Sequence, residues 1–169
     1  MPHAQPLGRI FDIGLGVAPL DLQTARTGLR QSMKNCDGVL IVIVKGVGTD
    51  GDDQTFTLVE YTAASGGSSQ NLASITEYFE KEELALDNDE AWVRVTQTAA
   101  ATVAPGDPSA QFQAIYAIPV YSDQLSDGYG WIGLDNDGAG SAAQLGTVIY
   151  IPFGLAYPNI PANLPLANA

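Results

Sequence analysis

The stretch that decides the fold is a run of six apolar residues, Val39-Leu40-Ile41-Val42-Ile43-Val44. Most of them are β-branched, and they favour a strand because branching at Cβ suits a pleated surface and crowds a helical turn. Neighbouring side chains on a strand point to opposite faces, so an unbroken apolar run needs cover on both sides. We therefore predict a central strand with one face in the core and the other against a second layer of the domain or a partner subunit.

Length and composition are those of one globular domain. A chain of 169 residues can bury ~70% of the surface that its unfolded form exposes. Its 46% hydrophobic and 15% charged residues distinguish it from disordered chains. Eighteen glycines and ten prolines spread along the chain are typical of the turns between many short strands.

Further apolar or alternating runs lie between clusters of turn residues. Asp37-Gly38 is a strong hairpin signal, and it predicts that a strand over residues 27–33 turns back into the central strand. Residues 71–83 fit both a helical and a strand period, and we favour the strand. The predicted strands are residues 27–33, 39–44, 54–62, 71–83, 91–97, 111–120, 128–134 and 146–153.

This spacing predicts an all-β fold, an antiparallel β-sandwich of about eight strands, in a jelly-roll-like version. The sandwich domain is predicted over residues 21–153, between an extended N-terminal arm over residues 1–20 and an extended, proline-containing C-terminal arm over residues 154–169. Prolines at this spacing prevent regular helix and sheet in the second arm. Its apolar side chains are the predicted contacts with a partner protein: Leu155, Tyr157, Ile160, Leu164 and Leu166.

The charge balance restricts the partners. The net charge is −12 with only seven Lys and Arg residues, so the chain cannot pair cations with phosphates over a sizeable patch. The same charge disfavours anionic membrane surfaces. We therefore expect no nucleic acid and no membrane as direct partners.

Cysteine content and the N-terminus bear on the compartment. Cys36 is the only cysteine, which excludes an intrachain disulfide framework and a cysteine-based metal cluster. Residues 1–6 do not have the basic and apolar regions of a secretory signal. We therefore expect a protein that is made in a cytoplasm and stays there or enters an assembly.

Catalytic residue types are sparse. The only histidine is His3, in the predicted N-terminal arm, so a rigid His-based general base is not expected. Glu60, Glu77, Glu80 and Glu90 could line one sheet face as a glycosidase pair would require. Carboxylates on sheets mostly mark the solvated face, so we predict that the chain is not an enzyme.

Two acidic stretches resemble fragments of calcium loops, residues 50–53 and residues 135–138. An EF-hand that starts at Asp135 would need an oxygen ligand at its fifth position and Glu at its twelfth, where this chain has Ala139 and Gly146. Asp, Asn and Gly also serve tight turns, and we favour that interpretation over a calcium site of another type. The Gly-rich residues 14–16 and 46–48 do not complete a phosphate-binding motif. We therefore predict no cofactor and no metal.

Aromatic residues could in principle form a platform for a sugar. Five of them are candidates: Trp92, Trp131, Tyr116, Tyr129 and Tyr150. Their places within alternating runs favour core packing instead. Tyr129, in the Gly-rich stretch 127–130, is the best candidate for an exposed ring.

Four strings resemble a small structural protein of tailed bacteriophages, and the similarity runs over most of residues 9–157. They are Arg30-Gln31-Ser32-Met33-Lys34-Asn35, then Lys45-Gly46-Val47-Gly48-Thr49-Asp50-Gly51-Asp52-Asp53 with Thr55, Thr57 and Leu58, then Gln124-Leu125-Ser126-Asp127-Gly128-Tyr129, and the stretch from Gln144-Leu145-Gly146 to Tyr150. None of these strings is a catalytic signature.

The resemblance implies a virion component, a capsid decoration (cement) protein on the outer surface of the head. We expect such a protein to be made in the host cytoplasm, to form a symmetric homo-oligomer with a trimer favoured, and to cross-link major capsid protein subunits. Two other classes are alternatives: a glycan-binding or host-attachment module on the virion, and a head–tail connector or tail subunit. The first would expose an aromatic patch, and the second would form rings at a low copy number.

Overall fold

A computed structural model gives the structure of the protein and describes residues 7–105, 111–138 and 142–156. Within these ranges the chain forms short and long strands and a 3-10 helix at Ser122–Gln124. The strands are β1 Gly14–Asp21, β2 Gln31–Ser32, β3 Gly38–Lys45, β4 Phe56–Tyr61, β5 Ser69–Asn71, β6 Ile75–Glu83, β7 Val93–Ala100, β8 Thr102–Val103, β9 Gln113–Tyr121, β10 Trp131–Asn136 and β11 Leu145–Phe153.

Two antiparallel sheets pack against each other, which confirms the predicted all-β sandwich. The larger sheet has six strands in the order β1-β11-β3-β9-β6-β7. The smaller sheet has the order β2-β10-β4-β5, and β8 pairs with β4 outside this path. Every strand pairing is antiparallel.

The predicted central strand is β3, which confirms its interpretation as a strand inside a sheet. It pairs along its whole length with β11 on one side and with β9 on the other. Val39, Ile41 and Ile43 are fully buried, because they point between the two sheets. Leu40, Val42 and Val44 are only half-buried on the opposite face.

The core lies between the inner faces of the two sheets. It joins apolar side chains of β3, β9 and β11 to apolar side chains of β4 and β10. The largest of its fully buried apolar and aromatic side chains are Tyr116, Tyr150, Phe56, Leu22, Ile41, Ile43, Leu58, Ile118, Ile132 and Leu134.

The second half of the predicted N-terminal arm is a strand, so the boundary of the sandwich at residue 21 was wrong. β1 pairs with β11, with register shifts between Leu15 and Val17 and between Val17 and Leu20. An edge strand with bulges tolerates Gly16 and Pro19, which at the sequence level indicated an irregular arm. The sandwich therefore begins at β1, and residues 1–6 lie outside the described residues.

The predicted hairpin at Asp37-Gly38 was also wrong. Residues 27–33 contribute only the short strand β2, which pairs with β10 in the smaller sheet, whereas β3 belongs to the larger sheet. The chain crosses from one sheet to the other between them. Asn35, with φ 64°, turns the chain, and the Asp37 backbone N–H then donates to Phe153 O at 3.0 Å.

The remaining strands follow the sequence pattern with shifted ends. Residues 75–83 form β6, so the strand interpretation of this ambiguous stretch is confirmed. The predicted loop over residues 98–108 contains the end of β7 and the two-residue β8. Pro119, which suggested a strand end, lies within β9 beyond the last residue paired with β6, so its missing N–H costs no hydrogen bond to that strand.

Candidate interaction surface

The outward side of the larger sheet is apolar at its centre. The register places Val42 of β3 between Ala117 of β9 and Ile149 of β11. Side chains two residues apart on each strand lie on the same side of the sheet, so every second residue of the three strands points outward with Val42. We call the outward side chains of these strands the apolar face. It consists of Leu40, Val42, Val44, Ile115, Ala117, Pro119, Ile149 and Ile151.

Most of the apolar face is half-buried, with Ala117 buried by its larger neighbours. This level of burial is what side-by-side packing within one sheet provides. The three strands therefore present apolar side chains to both sides of the sheet, although the smaller sheet covers only one. Unbroken apolar runs in the sequence indicate this second face, which was predicted from them for β3 alone.

Aromatic and aliphatic side chains extend the apolar face at its margins. Tyr121 and Phe153 make an edge-to-face contact at one end, with ring centroids 5.8 Å apart. Tyr121 keeps 46% of its surface exposed. Leu15, opposite Ile149 on the edge strand β1, is 41% exposed.

At its other end the apolar face runs into a groove of about 450 Å³. Val44 and Thr147 belong to both the outward side of the sheet and the groove wall. Leu20, Leu86 and Leu145 supply further apolar lining. The backbone N–H of Leu86 donates to the Gln113 side chain at 3.1 Å, which fixes this wall to β9.

Among the described strands, β6 and β7 carry charged side chains at outward positions, and Asp21 ends β1 opposite Leu145. Arg94 lies opposite Phe79, diagonal to Glu77, and forms an ion pair with Glu77 near the β7 edge of the sheet. The Lys81 ammonium lies 5.3 Å from the ring centroid of Trp92, a cation–π distance. The outward positions of β3, β9 and β11 carry no charged side chain.

The four glutamates considered as catalytic candidates do not share one sheet face. Glu60 is buried in the smaller sheet, where it accepts hydrogen bonds from the Gln70 side chain at 2.6 Å and from Ser126 N at 2.8 Å. Glu77 points outward from the larger sheet, and Glu80 lies on the opposite side of the same strand. Glu90 lies in the loop between β6 and β7.

Acidic side chains cluster at the end of β6. Glu82 accepts a hydrogen bond from the Tyr116 hydroxyl, and burial followed by the charge of Glu82 raises the pKa of Glu80. Glu90 accepts hydrogen bonds from the backbone N–H groups of Asp87 and Asn88, and the first of these contacts is the main cause of its lowered pKa. The Glu90 carboxylate thus accepts hydrogen bonds from backbone N–H groups of its own loop.

The stretches that resembled calcium loops use their carboxylates in the same way. Asp135 accepts a hydrogen bond from Gly28 N at 2.8 Å, and Asp137 accepts one from the Thr57 hydroxyl at 2.8 Å. Asp52 accepts one from Ala142 N at 2.7 Å. These contacts tie neighbouring loops together and support the turn interpretation.

The aromatic candidates for a sugar platform are dispersed. Tyr116 and Tyr150 are fully buried in the core, as predicted. Trp92 is 50% exposed beside the larger sheet, contrary to the prediction of core packing, while Trp131 lies on β10 in the smaller sheet. Tyr129 is half-buried in a turn that follows Gly128, whose φ is 83°.

Two predicted features fall partly or wholly outside the described residues. Leu155 packs against the core, and the next residue is held by a hydrogen bond from Ala156 N to Asn35 O at 2.9 Å. Leu155 therefore anchors the end of β11 to its own domain, and its predicted contact with a partner stays a prediction. The other predicted contacts, Tyr157, Ile160, Leu164 and Leu166, lie outside the described residues, as does His3.

Comparisons with known proteins return no relative. No family model matches the chain, no curated protein matches it, and no solved structure matches it. Among the described residues, no helix has the length and apolar character needed to cross a membrane.

Proposed function

We propose that this chain is a non-enzymatic virion protein that binds the outside of a tailed-phage capsid and stabilises it by bridging major capsid protein subunits. The observation that carries this proposal is the anchored end of the domain, where Leu155 packs against the core and Ala156 N donates to Asn35 O immediately before an apolar segment over residues 157–169. The resemblance of four sequence strings to a phage structural protein indicates that the assembly is a tailed-phage capsid.

The distribution of polar groups supports a structural role. Among the described residues, buried Glu60 and the loop carboxylates of Asp52, Asp135 and Asp137 accept hydrogen bonds from the protein's own groups. Side chains engaged in this way stabilise the fold.

The charge of the chain favours the outer surface of the capsid. With a net charge of −12, the protein would be repelled by packaged nucleic acid. An acidic protein at the outer surface avoids that repulsion. We therefore place the protein outside the shell, after its synthesis in the host cytoplasm.

Residues 157–169 are the proposed contact with the capsid. They follow directly after Leu155 and Ala156, which are fixed to the domain, and they contain Tyr157, Ile160 and the two leucines Leu164 and Leu166. An apolar segment attached to a stable domain can bury surface on a neighbouring subunit. At ~25 cal/mol per Å², several hundred Å² of burial would offset the cost of ordering it.

The first test is the number of copies of this chain per purified virion, measured by quantitative mass spectrometry against the major capsid protein. Hundreds of copies are expected for a protein that covers the shell. About a dozen copies would indicate a connector or tail position instead, and absence from the particle would contradict the proposal.

A second test separates the capsid contact from the fold. The double substitution Ile160→Asp and Leu164→Asp should reduce co-sedimentation of the purified protein with capsids by about tenfold or more, with an unchanged urea midpoint. The matched control carries aspartates at the exposed positions Ser69 and Asn71 of β5, which add the same charge to the smaller sheet. Equal capsid binding by the two variants would exclude residues 157–169 as the contact.

A further inference from the structure

We infer that the apolar face is a self-association surface, which packs against the same face of a second copy around a two-fold axis. In this arrangement Val42 and its neighbours on β9 and β11 lie between two larger sheets. The inner faces of these sheets are already covered by the smaller ones. The pair would therefore form four layers, with an apolar contact between the two central layers.

The size of the face suits a dimer. Strands ~4.8 Å apart that rise ~3.3 Å per residue give roughly 750 Å² for six strands of eight residues, and roughly 500 Å² for the four strands from β1 to β9. A standard stable interface buries about 800 Å² on each partner. The four strands from β1 to β9 thus supply more than half of the usual area, and the outward side of β6 and β7, whose charges balance in sign, would complete it.

The charge distribution favours a second copy over a charged partner. Two copies that each carry a net charge of −12 repel each other, so they can associate only through a neutral surface. The outward positions of β3, β9 and β11 meet that requirement. The outward charges of β6 and β7 are balanced in sign, with Glu77 and Glu83 against Lys81 and Arg94, and Glu77 pairs with Arg94.

The side chains on the face suit sheet-on-sheet packing. Two sheets stack ~10 Å apart with their strands about 30° from parallel, and their side chains interdigitate. Val42, Val44, Ile115, Ile149 and Ile151 are stiff β-branched residues that lose little rotamer freedom on burial. Such a row therefore forms an interface at a low entropic cost.

Self-association does not depend on the capsid role. If both hold, a dimer presents two copies of the segment 157–169, and bivalent attachment strengthens binding without a new contact. The sequence-level expectation favoured a trimer. A flat face that pairs with itself closes with two copies, because an isologous interface has two-fold symmetry.

The test is the mass of the full chain in solution, measured by sedimentation equilibrium from about 1 to about 100 μM. A monomer has a mass of 17.7 kDa, so the dimer is expected at about twice that value. Val42→Lys places a charge at the centre of the face on both copies and should return the mass to that of the monomer. Thr102→Lys adds the same charge at an exposed position of β8 in the smaller sheet and should leave the dimer intact.

A milder variant guards against an effect on folding. Val42→Thr keeps the shape and the β-branching of valine and replaces one methyl group by a hydroxyl. It should weaken the dimer by about tenfold or more with a native circular dichroism spectrum. A wild-type monomer at every concentration, a trimer, or a dimer that withstands Val42→Lys would each overturn the proposal. The capsid substitutions at Ile160 and Leu164 should leave the dimer unchanged, so failure of one proposal is distinguishable from failure of the other.

Discussion

The hydroxyl of Tyr150 joins the two sheets through Leu134. Tyr150 lies on β11 of the larger sheet, and its oxygen accepts a hydrogen bond from Leu134 N on β10 of the smaller sheet at 2.8 Å. The same hydroxyl donates to Leu29 O at 3.0 Å. The ring is fully buried, and burial raises the pKa of this tyrosine, so the hydroxyl keeps its proton as a donor. This contact fixes the smaller sheet against the larger one.

Tyr150→Phe should lower the free energy of unfolding by about 1–3 kcal/mol, because the buried N–H of Leu134 loses its acceptor. Urea unfolding followed by fluorescence measures this change. Tyr129→Phe is the control, since Tyr129 lies half-buried in a surface turn, and it should leave the midpoint in place. An unchanged midpoint for Tyr150→Phe would contradict the role of the hydroxyl.

Gly28→Ala should destabilise the protein because there is no space for a methyl group. An added Cβ would lie 2.2 Å from the carbonyl oxygen of Leu134, and backbone atoms cannot move aside as a flexible side chain can. We expect a loss of about 1–3 kcal/mol from this overpacking. Gly130→Ala is the matched control, since nothing lies within 4 Å of its added Cβ. Equal thermal midpoints for the two variants would argue against the close approach.

Stability should fall at alkaline pH. Burial raises the pKa of Cys36 from 9.0 to about 11 and that of Tyr78 from 10.0 to about 12. The unfolded chain therefore releases these protons at a lower pH than the folded protein does. The stabilising contribution of both groups is complete below pH 9 and is lost as the pH rises through 11 and 12.

Urea unfolding at a series of pH values from 8 upward tests this pH dependence. Tyr78→Phe removes one of the two groups and should flatten the decline between the unfolded and folded pKa values of that tyrosine, 10.0 and about 12. A free energy of unfolding that rises above pH 9 would contradict the direction of the pKa shifts.

Leu155→Ala should lower the stability of the domain. Leu155 is half-buried against the core, so we expect a loss of about 1–2 kcal/mol, less than for a fully buried leucine. Leu166→Ala, in the segment proposed to bind the capsid, should leave the urea midpoint unchanged. If Leu155→Ala impaired capsid binding with no change of stability, the role of Leu155 as an anchor would be wrong.

Local pattern was sufficient to predict the central strand. The run that ends at Val44 is apolar on both faces, and the structure gives it a partner strand on each side. The same reasoning predicted β4, β6, β7, β9, β10 and β11 with shifted ends. Period and β-branching are properties of neighbouring residues, so they can be read from the sequence without knowledge of the fold.

The local sequence pattern could not predict which distant segments of the chain pair with each other. The chain does turn before β3, at Asn35, but the sheet that β2 joins is decided by its pairing with β10, about a hundred positions along the chain. Glu60 looked like a solvated carboxylate because its partner Ser126 is 66 positions away in sequence. Trp92 was expected in the core, yet it precedes an edge strand. For β3, the sequence predicted that the second apolar face lies against another layer of the domain or against a partner subunit. The full extent of the apolar face could be recognised only from the register of β9 and β11 with β3.

The position of β11 has a consequence for the order of folding. It lies between β1 and β3 in the larger sheet, although it follows all the other described strands in the chain. During synthesis β1 therefore has no partner, and β3 has one open edge, until residues 145–153 emerge. Such contacts between distant segments slow folding, and open edges can pair with other chains. A nascent chain halted before residue 145 is accordingly expected to aggregate, whereas the completed chain seals the sheet in a single late step.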